Sequence, residues 1–304
     1  MNALNITISL LKNKLSINNY KKLLLKKISP DKITLNKSVD NKKEKQNIKD
    51  LHNKIKIIKS QKMSPKSDKP YIQTLNQIIK YLNNEETEDD IFNIAIFQFF
   101  KLSSIEQKLE YINYLQKSLD PIVLKNASIS ILLKFYDYIL SILSFEILKF
   151  AKEESIIIKF QTLAQNLLKI CKTNDMFKVL LFLLKKYFPK DLNNKIEDIS
   201  LVMIKIIAFL LKELLKNIKK EKINALDIIC LINDLLTNTP PSNLTTLTPN
   251  CNLYQNIFSL LKSITDAIVS QNKKELKGII LYMTDKQIIC NDYIQYLIKL
   301  NNTQ

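Results

Sequence analysis

Glu85, Glu86, Glu88, Asp89 and Asp90 crowd into six consecutive positions, and clustered carboxylates are the donors that hard cations take. The cluster also stands directly before an apolar periodic run, where acids in a helix's first turn face its open N–H groups and dipole. Helix capping is therefore the expectation, and no metal site is. Asp227 and Asp234 lie seven apart on one helical stretch, a spacing that puts both on one face. General acid–base work would need a partner there, and no histidine, arginine or glycine-built anion hole stands ready. Cys171, Cys230, Cys251 and Cys290 are far apart with no C-x-x-C pair, and the single histidine, His52, sits in a lysine-rich N-terminal stretch. A structural zinc site gathers its ligands at short spacing. Three of these cysteines fall inside apolar helical stretches, so buried free thiols in a reducing compartment are the expectation.

One glycine, Gly278, serves the whole chain of 304 residues. Phosphate-cradling loops, dinucleotide turns and nucleophile elbows all need glycine where the backbone takes positive φ or approaches a ligand closely. None of them can be written here. The expectation is a non-enzymatic protein with no cofactor and no small-molecule substrate.

All 46 basic residues are lysine, and they are unevenly spread: residues 1–70 hold 18 of them against five acids, while the remainder holds 28 against 24. The excess charge belongs to an N-terminal arm, and the rest of the chain is close to neutral. Within the arm, Lys42, Lys43, Lys45, Lys54, Lys56, Lys59 and Lys62 are the candidate polyanion-binding residues, since lysine neutralises phosphate or carboxylate surfaces by counterion release without a defined fold. Nucleic acid is one such polyanion, although residues 36–70 lack the arginine and aromatics that read bases; a solvated linker with no partner is the plain alternative. Residues 1–30 contain no acid, which suits either an organelle-targeting peptide or a locally helical, solvated arm.

Positioning these residues falls to helices. A chain this poor in glycine and this rich in Leu, Ile, Lys and Asn reads as all-α, and the division is 1–70 as a flexible basic arm and 71–304 as a helical domain. Order is expected from YIQTLNQIIKYLN at Tyr71, where Ile72, Leu75, Ile78, Ile79 and Leu82 keep helical spacing. A second helix follows Thr87. Ser103 with Glu106 reads as a capping box for a third, and Asp120-Pro121 as an N-cap with an N1 proline for a fourth. Further helices are expected over 128–143 and 145–171 (with Glu154 as a break point), then over 173–188, 199–220, 224–236, 252–270, 273–283 and 284–300. The proline-bearing NTPPSNLTTLTPNC, 238–251, is the one clear loop of the body. Roughly ten helices with short connections are what stacked antiparallel helix pairs require.

The stretch ISLVMIKIIAFLLKELLKNIKK, 199–220, is the most apolar of these. Lys205 and Lys212 would each cost roughly 2.5–3.5 kcal/mol near a bilayer centre, so no membrane span is expected. Those two lysines share a face with Lys216 and Lys219. This predicts a helix buried around most of its circumference, with one wetted, potentially partner-facing stripe.

Three runs in order, NLLKICKTNDMFKVLLFLLKKYF, SLVMIKIIAFLLKELLKNIKKEKINALDIICLINDLLTNTPPSNL and NIFSLLKSITDAIVSQNKKELKGIILYM, resemble the C-terminal helical domain of the ch-TOG family of microtubule polymerases. The likeness lies in their sequence of features. A helix opens with a T-N step, an apolar helix leads into an I-N-x-x-x-[IL] helix, and a proline loop precedes an L-K-S helix. A weaker likeness reaches back to Ile91. The resemblance implies an α-solenoid of HEAT-type helix pairs and a part in microtubule and spindle organisation, in the cytoplasm and at spindle poles. It further implies contact of the lysine arm with the acidic microtubule lattice and a coiled-coil adaptor as partner. Tubulin-gripping members place tryptophan on intra-repeat loops; this chain has none, so the body is expected to hold a protein partner and not a tubulin dimer.

Overall fold

The structure, a computed structural model, describes residues 69–83, 90–148, 154–193, 196–218, 223–272, 275–288, 291–292 and 294–296. Helix and short turns make up all of it, with no strand among the described residues. The helices are α1 Pro70–Leu82, α2 Ile91–Lys101, α3 Ile105–Ser118, α4 Pro121–Asn126, α5 Ile129–Leu148, α6 Glu154–Ile170, α7 Thr173–Tyr187, α8 Asp198–Asn217, α9 Ala225–Asn238, α10 Cys251–Gln271 and α11 Leu276–Asp285. A 3₁₀ turn, Pro241–Asn243, lies in the proline loop.

Local chemistry accounts for several ends, and it moves some from where the sequence places them. Asp120 caps α4 through a 2.7 Å bond from the Ile122 N–H, with Pro121 at the first helical position. At α3 the box is one residue later than Ser103/Glu106: Ser104 Oγ accepts from the Gln107 N–H at 3.2 Å, and Gln107 Oε1 accepts from the Ser103 N–H at 3.2 Å. Ser104 has the extended backbone that a cap needs, and glutamine serves as the reciprocal acceptor as well as glutamate does. Glu106 stands in the first turn, where its own backbone N–H and the Ser104 hydroxyl hold its carboxyl below the usual value. Asp90 precedes α2 without a side-chain cap bond, and Glu85, Glu86, Glu88 and Asp89 lie outside the described residues.

The helix expected to stop at Leu143 continues through Phe145 to Leu148, and the next begins at Glu154. No helix breaker separates Leu143 from Phe145, so the turn can simply propagate. α11 likewise passes the expected boundary at Met283. Its end is set by a Schellman closure, in which Gln287 takes φ 52° and the Ile288 N–H donates to the Met283 carbonyl at 2.9 Å.

The helices associate in packed pairs. α5 packs on α6, α7 on α8 and α9 on α10; α7 also meets α5 and α9, and α8 meets α6 and α10. Hydrogen bonds give the directions. Asn174, Lys178 and Lys185 of α7 meet Asn224, Asp227 and Asp234 respectively at α9; partner numbers that rise together mean parallel helices. In α3 and α5 they run oppositely, Lys108 meeting Glu146 and Tyr111 meeting Tyr138, so this pair is antiparallel.

The core is centred on α5, of whose 20 residues 14 are buried, and not on α8, where eight of 20 are. α5 lies against α2, α6, α7 and α8, and its C-terminal half leaves only Ser141 partly open between Tyr138 and Leu148. No described helix is long and apolar enough to cross a membrane.

Candidate functional site

Three polar constellations interrupt the apolar packing. The first is internal. Lys108 Nζ of α3 lies 3.3 and 3.4 Å from the two Glu146 oxygens of α5, with the side chains 7% and 0% exposed. The amine also sits 5.7 Å from the Phe99 ring centre, within an aromatic group in which Phe99 meets Tyr111 and Phe160 edge-on. One turn further along α3, the Tyr111 and Tyr138 hydroxyls are 2.5 Å apart. Burial raises both phenol pKa values; at Tyr138 the neighbouring Tyr111 adds to the shift, while at Tyr111 the shared hydrogen bond offsets part of it. A buried ion pair beside aromatic rings joins α3 to α5 at this point, with both charges almost wholly out of water.

The second is the seam between α7 and α9. Asp227 and Asp234, which the sequence puts on one face with no partner evident, meet Lys178 and Lys185. Asn224 and Asn238 brace the two carboxylates from their own helix. Across the neighbouring seam, Asp137 of α5 accepts from Lys186 Nζ at 2.7 Å and from the Tyr187 hydroxyl at 2.6 Å. Burial, and then the Asp137 charge, push the Tyr187 phenol upward. These acids are engaged in holding helices together, an arrangement suited to fixing helix register and not to proton transfer.

The third is the strip on α8. Lys205 is half-buried, Lys212 and Lys216 are exposed, and Lys216 Nζ bonds Glu213 Oε1 at 2.6 Å. Burial alone lowers the Lys205 pKa. Lys219 and the arm residues Lys42, Lys43, Lys45, Lys54, Lys56, Lys59 and Lys62 lie outside the described residues, as do His52 and Cys290. Among the described residues no three His, Cys, Asp or Glu side chains gather as metal ligands. Cys171 is buried, and its thiol is pushed up to about 12 by burial and then by Asp175. A cleft of 390 Å³ between the end of α1 and α4 is lined by Leu82, Asn83, Ile122, Asn126, Ser128 and Ile131, with no titratable side chain among the described residues that line it.

The Lys108–Glu146 pair is absent from the sequence reading, although signals for it exist. Lys108 is in phase with Tyr111, Ile112 and Leu115, all buried, and Glu146 lies between Phe145 and Ile147 in an apolar run. A charge on each of two apolar faces asks for a mutual partner. The Lys178/Lys185 and Asp227/Asp234 ladder carries a similar signal, since both pairs are spaced by seven. Comparison with protein-family models, curated proteins and solved structures returned no match.

Proposed function

We propose that this chain is a non-enzymatic interaction scaffold whose helix pairs stack as an α-solenoid and whose lysine-rich arm associates with a polyanionic lattice. The observation that carries the scaffold reading is the register of α7 on α9. Helices two apart in the chain run parallel and are joined by a ladder of side-chain bonds, the relation that repeated helix pairs produce. The same alternation links α5 to α7 and α6 to α8 and then α10. Stacks of this kind present long, shallow faces on which partner proteins lie.

The microtubule lattice is the proposed polyanion, with a cytoskeletal location in the cytoplasm. Support comes from the ordered resemblance of 166–297 to the last domain of the ch-TOG family and from the 18 lysines of residues 1–70. Attraction by lysine charge alone is salt-sensitive. Co-sedimentation of the full chain with taxol-stabilised microtubules is therefore expected to weaken steeply with added salt, and to be lost when Lys42, Lys43, Lys45, Lys54, Lys56, Lys59 and Lys62 are all changed to Gln. Binding that survives this change overturns the role of the arm. Duplex DNA at matched ionic strength supplies the other arm of the test: tighter binding to DNA than to microtubules favours a nucleic-acid scaffold instead.

A further inference from the structure

Among the described residues four lysines are buried or half-buried: Lys108, Lys159, Lys178 and Lys205. Three have a partner within the fold. Lys108 meets Glu146, Lys159 Nζ donates to Asn113 Oδ1 at 2.7 Å, and Lys178 meets Asp227. Lys205 has no ion pair or hydrogen bond among the described residues, and burial is the whole cause of its lowered pKa. Taking an ammonium group partly out of water without a polar partner is costly, and each of the other three has one.

The surroundings of Lys205 show what class of group would complete it. α8 contacts α5, α6, α7 and α10, and the face that carries Lys205 is left partly or wholly open at Asp198, Leu201, Ala208, Phe209, Lys212 and Lys216, a strip that at 100° per residue spans an arc of roughly 100°. Leu201, Lys205, Ala208 and Phe209 are half-buried and the last two lysines exposed, so the strip is recessed at one end. Leu201 and Phe209, about one turn to either side of Lys205 on the same face, are apolar. Two acids accompany the strip, Asp198 at the helix start and Glu213, which is bonded to Lys216; Lys205, Lys212 and Lys216 outnumber them, so the strip carries a net positive charge. At 1.5 Å per residue the Cα atoms of Lys205 and Lys212 are about 10 Å apart.

We infer that the α8 strip is a docking surface for an acidic amphipathic segment of a partner protein, with one carboxylate on Lys205, a second on Lys212, and apolar side chains against Leu201 and Phe209. This names the partner chemistry of the scaffold proposed above and rests on that reading. The charge pattern selects a protein segment over nucleic acid. A phosphodiester chain is charged at every unit and gains nothing from the apolar residues between the amines, whereas an amphipathic helix with acids seven apart matches both amines and carbon.

The test uses the full chain and a fluorescein-labelled amphipathic helical peptide carrying Glu at two positions seven residues apart with Leu between them. Fluorescence anisotropy is expected to show binding that weakens at least about tenfold with Lys205→Met, and by a similar factor when the peptide's two Glu become Gln. Lys169→Gln, at an exposed lysine on α6, is expected to leave binding unchanged. Far-UV circular dichroism and thermal melting establish that each variant is folded. The proposal is overturned by absence of binding up to about 1 mM peptide, by equal affinity of the Lys205→Met variant, or by displacement of the peptide by an oligo-dT of equal charge. Changing the seven arm lysines to Gln separates the two readings. If the arm variant loses microtubules and keeps the peptide, both stand; lost microtubule binding without any peptide binding leaves only the arm.

Discussion

Lys108→Met, Glu146→Leu and the double variant form a cycle that tests how the interior of this protein is held. Both side chains are almost wholly out of water, at 7% and 0% exposure, with the amine 3.3 and 3.4 Å from the two carboxylate oxygens. Removing either partner takes away the contact that compensates the burial of the other, with the amine 5.7 Å from the Phe99 ring centre, and breaking a buried pair costs about 3–5 kcal/mol. For a body of roughly 230 residues each kcal/mol moves Tm by about 2–4 °C, so either single variant is expected to melt about 6–20 °C lower. The double variant fills the same space with carbon and removes both desolvation penalties. It is expected to fall within about 1 kcal/mol of wild type or to exceed it by about 1–4 kcal/mol. Urea unfolding followed by far-UV circular dichroism gives the four free energies, and the coupling should be large and of the sign that makes the double variant better than the summed singles. Additive singles, or a Lys108→Met loss below about 1 kcal/mol, would refute the view that this pair is desolvated and joins α3 to α5.

Other expectations concern single groups. Lys205→Met should raise Tm at neutral pH, because burial lowers the folded-state pKa of this lysine. The unfolded chain then binds more protons between that lowered value and the ordinary 10.5, stability of the wild type rises with pH through this window, and the advantage of Met should fade there in melts taken stepwise into alkali. Tyr136→Phe removes a 2.8 Å bond to the Ala164 carbonyl and should cost about 0.5–1.5 kcal/mol, since that carbonyl lies inside α6 and keeps its helical hydrogen bond. Tyr254→Phe should be neutral or stabilising, since that hydroxyl is buried with no hydrogen-bond partner among the described residues; chemical denaturation of the two variants side by side decides this. Cys171, with its thiol pushed up to about 12, should resist iodoacetamide at pH 8 until the protein unfolds. Mass spectrometry of native and urea-treated samples would expose the opposite result as early labelling at this site.

Much of the helical pattern was legible because helix periodicity is a local property. Apolar residues three and four apart mark the buried faces of α1, α6, α7 and α9, and Asp120-Pro121 marks the start of α4 within its own two residues. The boundaries that moved were those with more than one local solution. Ser103 and Ser104 each precede an acceptor three residues on, and only the backbone of Ser104 took the capping geometry. Near Leu143 nothing in the sequence ends the helix, and beyond it Phe145 packs on Phe100 of α2 and Ser144 meets Met203 of α8 as the helix goes on to Leu148.

By itself the sequence determined that the chain is helical, that no glycine-built catalytic loop can form, and that lysine collects in residues 1–70, because each of these follows from residue type and short-range spacing. Tertiary structure alone decided which charges meet. Lys178 finds Asp227 and Lys185 finds Asp234 across 49 residues, Lys108 finds Glu146 across 38, and Lys205 finds none among the described residues. Periodicity places a side chain on a face of its own helix, but whether that face meets an acid, a ring or water depends on how distant helices stack. Two lysines flanked by apolar residues, Lys178 and Lys205, can therefore differ, the first bracing a helix seam and the second meeting no acid among the described residues.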